Sequence, residues 1–399
     1  MREGVQRPQL ISSVFLLVML STFAYFLSVG ALLPTLPRYV EGPLNGSNFE
    51  VGLVIGSFAI AAVLLRPLIG LVGDRRGRKI LVVSGASLVA VSIAGYLFAE
   101  SILPLILLRL VSGAGEAAFY VGAASTINDL APDERRGEAF SYFSLALFLG
   151  IALGPLLGES SLSLGFDAAW LIAAGAATLA AIVGMFVPET RPDFEEIAPR
   201  RLVHRAGLFP GLILSTNIWG LASFTSFVPL YALRLGLSGS KFIFALHSVI
   251  VMLIRAFGAR IPDALGPSRS SRAALAFASS GFAAIALWES PAGLYTGTIL
   301  FSLGHSLLFP ALMSLAVRSA PPSERASVVS TFTAFFDLSF GLGALSAGAV
   351  AGALGYRGAF GAAAVVAFAG FTLLQVRARM RGSTARQTDA DAVAVAARE

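Results

Sequence analysis

Apolar runs long enough to cross a bilayer recur twelve times along this 399-residue chain. A hydrocarbon core of roughly 30 Å needs about 20 residues of helix at ~1.5 Å rise each. The runs cover 11–37, 48–71, 79–98, 102–127, 137–158, 168–188, 208–233, 241–262, 272–289, 292–317, 326–352 and 355–376. Their breaks carry charge, Pro or Gly, and most are so short that consecutive helices must be antiparallel neighbours. The pattern predicts an all-α membrane protein. Arg2 and Arg7 before the first run imitate a signal peptide. That run continues from Ile11 to Leu36, longer than a signal-peptide core, and no small-residue cleavage site follows, so it reads as the first span.

Composition agrees with the pattern. The chain is 56% apolar and only 13% charged, too little charge to cover a soluble protein of this length. The absence of cysteine excludes disulfides, thiolate catalysis and Cys-based metal sites. His204, His247 and His305 lack the spacing of metal ligands, and no cofactor is expected. A net charge of +6 would suggest nucleic acid in a soluble protein, but here the arginines gather in short loops. With the N-terminus in the cytoplasm, that side holds Arg75, Arg76, Arg78, Lys79, Arg135, Arg136, Arg191, Arg200, Arg201, Arg205, Arg260, Arg269, Arg272, Arg318 and Arg325, among others. The opposite loops hold Arg38, Arg234, Lys241 and Arg357. This asymmetry places both termini in the cytoplasm and excludes nucleic acid as a partner.

The longest polar break, Glu189 to Ala206, divides the runs six and six. The expected organisation is a six-helix bundle over 1–190, a cytoplasmic linker over 191–206, a second bundle over 207–378, and a small, polar, disordered tail over 379–399. The halves repeat. Arg66 stands eight residues before Asp74, with Gly77 after it; Arg255 stands eight before Asp263, with Gly266 after it, at an offset of 189. Glu134-Arg135 matches Glu324-Arg325 at an offset of 190. Parallel repeats of this kind put a substrate site at the bilayer midplane between the halves.

The loop Gly70-Leu71-Val72-Gly73-Asp74-Arg75-Arg76-Gly77-Arg78-Lys79 is a tight, glycine-rich turn with concentrated positive charge. A positive-inside anchor explains its arginines, but not Asp74 or the spaced glycines. This run resembles the signature loop of the major facilitator superfamily, with Val72 and Gly73 in place of the usual Leu and Ala. Arg109, Gly113, Gly115 and Ala117 resemble that family's R-x-x-x-G-x-G-x-A pattern in its fourth helix, and Asp129 to Gly137 resembles its next loop. Gly150, Gly154, Pro155 and Gly158 resemble a fifth-helix element associated with antiporters, although Glu159 stands where a closing Gly is common. Pro188-Glu189-Thr190 also fits, while the Asp263 loop lacks the basic run, a decay usual in the second copy. The resemblance implies twelve transmembrane helices in two pseudo-symmetric six-helix bundles and rocker-type alternating access. It also implies a cavity lined by helices one, four, seven and ten, with gating by Gly70, Asp74, Arg75, Gly77, Arg78, Asp129, Gly154 and Pro155. Asp74 and its partners would latch the cytoplasmic side.

Charge inside a span costs several kcal/mol unless paired or hydrated, so each such residue is a functional candidate. Arg109 and Glu116 lie seven residues apart in the fourth run, on one face and about 10.5 Å apart along the axis. Glu116 falls near the midplane and suits proton binding and release near neutral pH, with Arg109 as its modulator; the alternative is a static Arg–Glu pair between helices. His305 is a proton relay, a substrate ligand or a packed core histidine. Asp337 pairs with a nearby Arg or His and serves proton coupling, gating or structure. Arg66 and Arg255 read as snorkelling side chains at helix ends. Candidate substrate contacts are Glu116, His305, Tyr25, Phe119, Tyr120, Trp219 and Asn217, the last read first as an interhelical hydrogen bond.

No G-x-x-x-x-G-K-[ST] loop is present, so an ion gradient rather than ATP is expected to drive transport, and no nucleophile–base set suggests an enzyme. The expectation is a monomeric, proton-coupled exporter of a small organic molecule in a bacterial-type inner membrane, its partners being the bilayer, the substrate and protons or another coupling ion. Two alternatives stay open: an importer or uniporter on the same fold, and a membrane receptor that moves nothing.

Overall fold

The computed structural model describes residues 11–132, 135–190, 203–258, 264–321 and 324–396, with 326 and 381–396 by backbone only. Arg2, Arg7, Glu134, Arg191, Arg200, Arg201, Arg260 and Asp263 lie outside these residues, as does most of the linker. The helices are α1 (Ser13–Glu41), α2 (Asn48–Arg76), α3 (Arg78–Gly95), α4 (Ile102–Leu130), α5 (Arg136–Ser161) and α6 (Phe166–Met185). The second set comprises α7 (Arg205–Arg234), α8 (Lys241–Phe257), α9 (Pro267–Leu287) and α10 (Pro291–Arg318). A last segment, Arg325–Ala396, leaves helical geometry at Gly355 (φ 70°), which separates α11 (325–354) from α12 (356–396). The positive φ favours glycine at this corner. This last segment remains helical to Ala396, across the stretch that composition reads as an unstructured tail.

Local chemistry sets the starts of these helices. Ser12 accepts from the Phe15 amide, and Ser290 accepts from Gly293. Ser47 and Glu50 form a reciprocal capping box at α2. Gly77, at φ 104°, turns the chain from α2 into α3.

Ten segments among the described residues are long and apolar enough to span a membrane. The difference from twelve apolar runs has two sources. Helix α8 is 17 residues long and ends at Phe257, whereas the hydropathy pattern extends that run to 262. Helices α11 and α12 share one apolar stretch, Ser327–Met380, interrupted only at Gly355. Large apolar side chains such as Leu64 (69% exposed) and Val365 (68%) face outward, where lipid rather than water must cover them.

The repeat is visible in the helix starts. Arg78, Ile102 and Arg136 open α3, α4 and α5; Pro267, Pro291 and Arg325 open α9, α10 and α11. Each pair differs by 189 positions, so the loop after α4 pairs Arg136 with Arg325 rather than at the 190-residue offset of the Glu–Arg match. Across the halves, α2 packs on α11, α5 on α8, and α1 on α7. Within the first half, small residues let backbones touch. Gly113 faces the Phe58 carbonyl of α2, Gly115 faces Gly85 of α3, and Gly150, Gly154 and Gly158 of α5 receive Phe23 to Ala31 of α1. The R-x-x-x-G-x-G-x-A and G-x-x-x-G-P-x-x-G patterns therefore act as packing surfaces within one half.

Candidate functional site

Three ionisable side chains from three helices meet deep in the protein. Arg66 of α2 reaches Glu116 of α4 (Nη2–Oε2 3.3 Å) and also forms a close ion pair with Asp337 of α11. The side chains are 26%, 13% and 19% exposed respectively. Glu116 lies midway along α4, and Tyr120, one turn further on, places its ring 5.4 Å from the Arg66 guanidinium. The cluster joins the two halves, since α2 and α4 belong to the first and α11 to the second.

This arrangement changes three readings. Arg66 does not snorkel to the interface; it holds two carboxylates. The ion-pair partner of Glu116 is Arg66 rather than Arg109. Arg109 instead donates from Nε to the Val54 carbonyl (3.2 Å) and covers the Phe58 ring (4.4 Å). Both side chains still face α2, as their seven-residue spacing requires. Glu116 is not alone at mid-depth either, because Asp337 shares its cation.

A second polar group lies across the interface. His305 Nδ1 sits 2.8 Å from Asn217 Oδ1, and His247 Nδ1 sits 2.8 Å from Ser302 Oγ. The two imidazoles lie 5.6 Å apart in a cluster with Phe224 and Phe301. Arg255 of α8 does not snorkel: its guanidinium lies 4.0 Å from the Phe148 ring of α5. The 189-residue offset carries Arg66 to Arg255, Glu116 to His305, and Phe148 to Asp337. The same three positions thus hold a cation with two carboxylates in one repeat, and a cation with an imidazole and a phenyl ring in the other.

The remaining substrate candidates separate. Tyr25 stacks on Phe119 (3.9 Å between centroids, 6° between planes), and both are fully buried in the first half. Trp219 donates to Ser346 Oγ of α11 (2.8 Å). Two residues is about 200° around a helix, so Trp219 points away from the His305 side on which Asn217 lies.

At the loop face, Arg78 bonds Asp74 (2.7 Å) and Asp129 (3.4 Å), and Glu189 accepts from the Arg78 (2.7 Å) and Lys79 (3.3 Å) amides. These partners all belong to the first half. A β-carbon added at Gly70 would meet no neighbouring group within 4 Å, whereas one at Gly77 would collide with the Glu189 carboxylate. A cavity of about 330 Å³ opens here among Gly70, Asp74, Arg78, Asn128, Asp129 and Phe140. Sequence reasoning gave Glu189 no partner; its place in the Pro188-Glu189-Thr190 element was the available signal.

At the opposite face the halves are tied together. The Glu159 carboxylate accepts from the Ser240 amide (2.9 Å), from the Lys241 amide and from Arg38 (2.9 Å), so it caps α8 from α5. Asn48 donates to the Ala351 carbonyl (3.2 Å), and Tyr356 bonds Glu41. The residue that departs from the glycine pattern is therefore a clasp. Glu159→Gln should loosen it, because hydrogen bonds to a charged acceptor contribute ~1.5–3 kcal/mol. The expected result is alkylation of a Ser240→Cys reporter by an impermeant maleimide that is about tenfold faster in Glu159→Gln than with Glu159 intact.

A helical body that spans a bilayer and carries a buried ion cluster between two repeated halves is that of a membrane transporter. The sequence profile of the Major Facilitator Superfamily matches residues 18–296 and 243–397, and the chain belongs to that family. An uncharacterized MFS-type transporter of Burkholderia pseudomallei is 30% identical over 392 residues, covering 91% of this chain and 93% of the relative. One from Salmonella typhimurium is 27% identical over 374 residues, covering 90% and 94%. Among solved structures, the nucleoside transporter NupG superposes with a TM-score of 0.74 at 18% identity, covering 91% of this chain and 100% of that one. A bacterial homolog of the human lysosomal transporter Spinster, inward-facing and occupied, gives 0.78 at 17% identity, covering 92% and 96%. These two share the fold.

Proposed function

We propose that the protein is a proton-coupled exporter of a small organic compound, working by alternating access with twelve spans and both termini in the cytoplasm of a bacterial-type inner membrane. The observation that carries this reading is the Arg66–Glu116–Asp337 cluster, which bridges the halves at mid-depth. A proton arriving on one carboxylate weakens its hold on Arg66, and so alters a contact that must break when the halves rock apart. The halves, 1–190 and 207–378, rock about this interface. The clasp at Glu159 and the cavity beside Asp74 support assigning the structure to a state closed on the outer side. Asp74, Arg78 and Asp129 are then poised to engage the second half when the loop face closes.

The test has two stages. A growth screen of a deletion strain against toxic compounds first identifies a substrate; sensitivity supports export, whereas loss of growth on a nutrient overturns it. That substrate is then followed in proteoliposomes under an imposed pH gradient. Glu116→Gln should lose gradient-driven accumulation at least about tenfold while retaining downhill exchange, in the range seen when one proton-transfer group is removed. Accumulation equal to that of the parent protein would sink the proton role.

A further inference from the structure

Arg255 is a cation without a counter-charge among the described residues. Among the described residues no carboxylate lies within ion-pairing distance of it, and its Nε is buried with no hydrogen-bond partner. Its contact is the face of Phe148, 4.0 Å away. An uncompensated guanidinium between two halves of a membrane protein is expensive, and such groups persist where something else supplies the charge. The repeat shows what the position accommodates. Its counterpart, Arg66, binds two carboxylates, from positions 116 and 337. The matching residues around Arg255 are His305 and Phe148, neither of which brings a negative charge. The repeat thus pairs its cation with carboxylates in one copy, while in the other, among the described residues, the cation meets a phenyl ring instead.

The surroundings favour a particular kind of anion. Arg255 lies on α8, the helix that also carries His247, and its guanidinium rests on the Phe148 ring of α5. His305 Nδ1 donates to Asn217 Oδ1, so the imidazole is held in place by α7 and the charge recognition falls to Arg255. The rings of Phe224 and Phe301 lie against the imidazoles, so the wall beyond the charged end is aromatic. A planar carboxylate matches the guanidinium fork in a way that a spherical anion does not.

We propose that Arg255 is the anchor for an organic monocarboxylate with an aromatic body, bound between α5, α8 and α10. The proposal rests on the reading of the chain as a carrier of small organic molecules, but not on its coupling to protons. It names a substrate class for the interface and makes Arg255 a binding residue that mirrors the structural Arg66.

The test is equilibrium binding to the purified full-length protein, followed by thermal shift and titration, which needs no gradient and no vesicle. Matched pairs serve as probes: benzoate and benzamide, 2-naphthoate and 2-naphthamide, indole-3-acetate and indole-3-acetamide. The expected result is that at least one carboxylate raises the apparent melting temperature by mass action while its amide does not. Arg255→Gln should weaken that carboxylate at least about tenfold, and Arg255→Lys should weaken it less. Without ligand, Arg255→Gln should melt at or above the parent temperature, because it removes a half-buried charge that no carboxylate of the described residues pairs. Amides that bind as well as the acids, a shift that survives in Arg255→Gln, no shift with any of the three acids, or an Arg255→Gln variant that fails to fold would each overturn the proposal. Failure of the proton reading would appear separately, as gradient-independent transport with carboxylate binding intact.

Discussion

Arg66→Met is expected to cost about 3–5 kcal/mol and to abolish the monodisperse folded protein in mild detergent. The substitution keeps the length and apolar stem of the side chain but removes the shared cation. Glu116 and Asp337 then face each other across the interface between the halves with no positive group between them. Restoring charge balance should rescue the fold: Arg66→Met combined with Glu116→Gln and Asp337→Asn is expected to regain most of the lost stability, because fully neutral replacements of buried ion clusters are often tolerated. Size-exclusion profiles and thermal unfolding of the single and triple variants check this. A single variant as stable as the parent would mean that the cluster is too hydrated to matter.

Gly154→Leu is the second large effect. A β-carbon there would lie 2.5 Å from the Gly30 Cα and carbonyl carbon, and both colliding groups are backbone. Neither can rotate away, so α1 and α5 must separate along a contact that depends on close approach. The cost should exceed the ~1–3 kcal/mol usual for overpacking, and the variant should aggregate on extraction. Gly175→Ala is the control, since a β-carbon there would meet no neighbouring group within 4 Å. Equal yields of the two variants would show that α1 and α5 are not held together as described.

Much of this was legible in the chain. Among the described residues, hydropathy put an apolar run on each of α1 to α12, but it read the helical stretch after 378 as an unstructured tail. The Gly70–Lys79 loop and the glycine patterns marked the turn and the packing faces. Charge in apolar runs picked out Glu116 and Asp337, which do meet at one site. What periodicity could not supply was the neighbour. Arg66 and Asp337 are 271 residues apart, and a 3.6-residue repeat reports which side of a helix a residue occupies but not which helix lies opposite. Arg109 was paired with Glu116 for that reason, although each turned out to contact α2 separately. Glu159 looked like a lapse from a glycine motif because its partners, Ser240 and Lys241, are helix-start amides that carry no side-chain signature. Trp219 was grouped with Asn217 by proximity in sequence, although their directions differ by more than half a turn.

The sharing of one guanidinium by two carboxylates also bears on bioenergetics. Arginine does not release its proton in proteins, so neutralising both acids would strand a bare cation inside the membrane. On the proton-coupled reading proposed above, a carboxylate that stays ionised beside Arg66 would limit turnover to a single proton. If that proton enters while a monoanion leaves, two elementary charges cross in the same electrical sense. At 100 mV the membrane voltage then contributes roughly 4.6 kcal/mol to each cycle, at about 2.3 kcal/mol per charge. Such a carrier would be driven by voltage as much as by acidity, and would keep working in a cell whose pH gradient had collapsed.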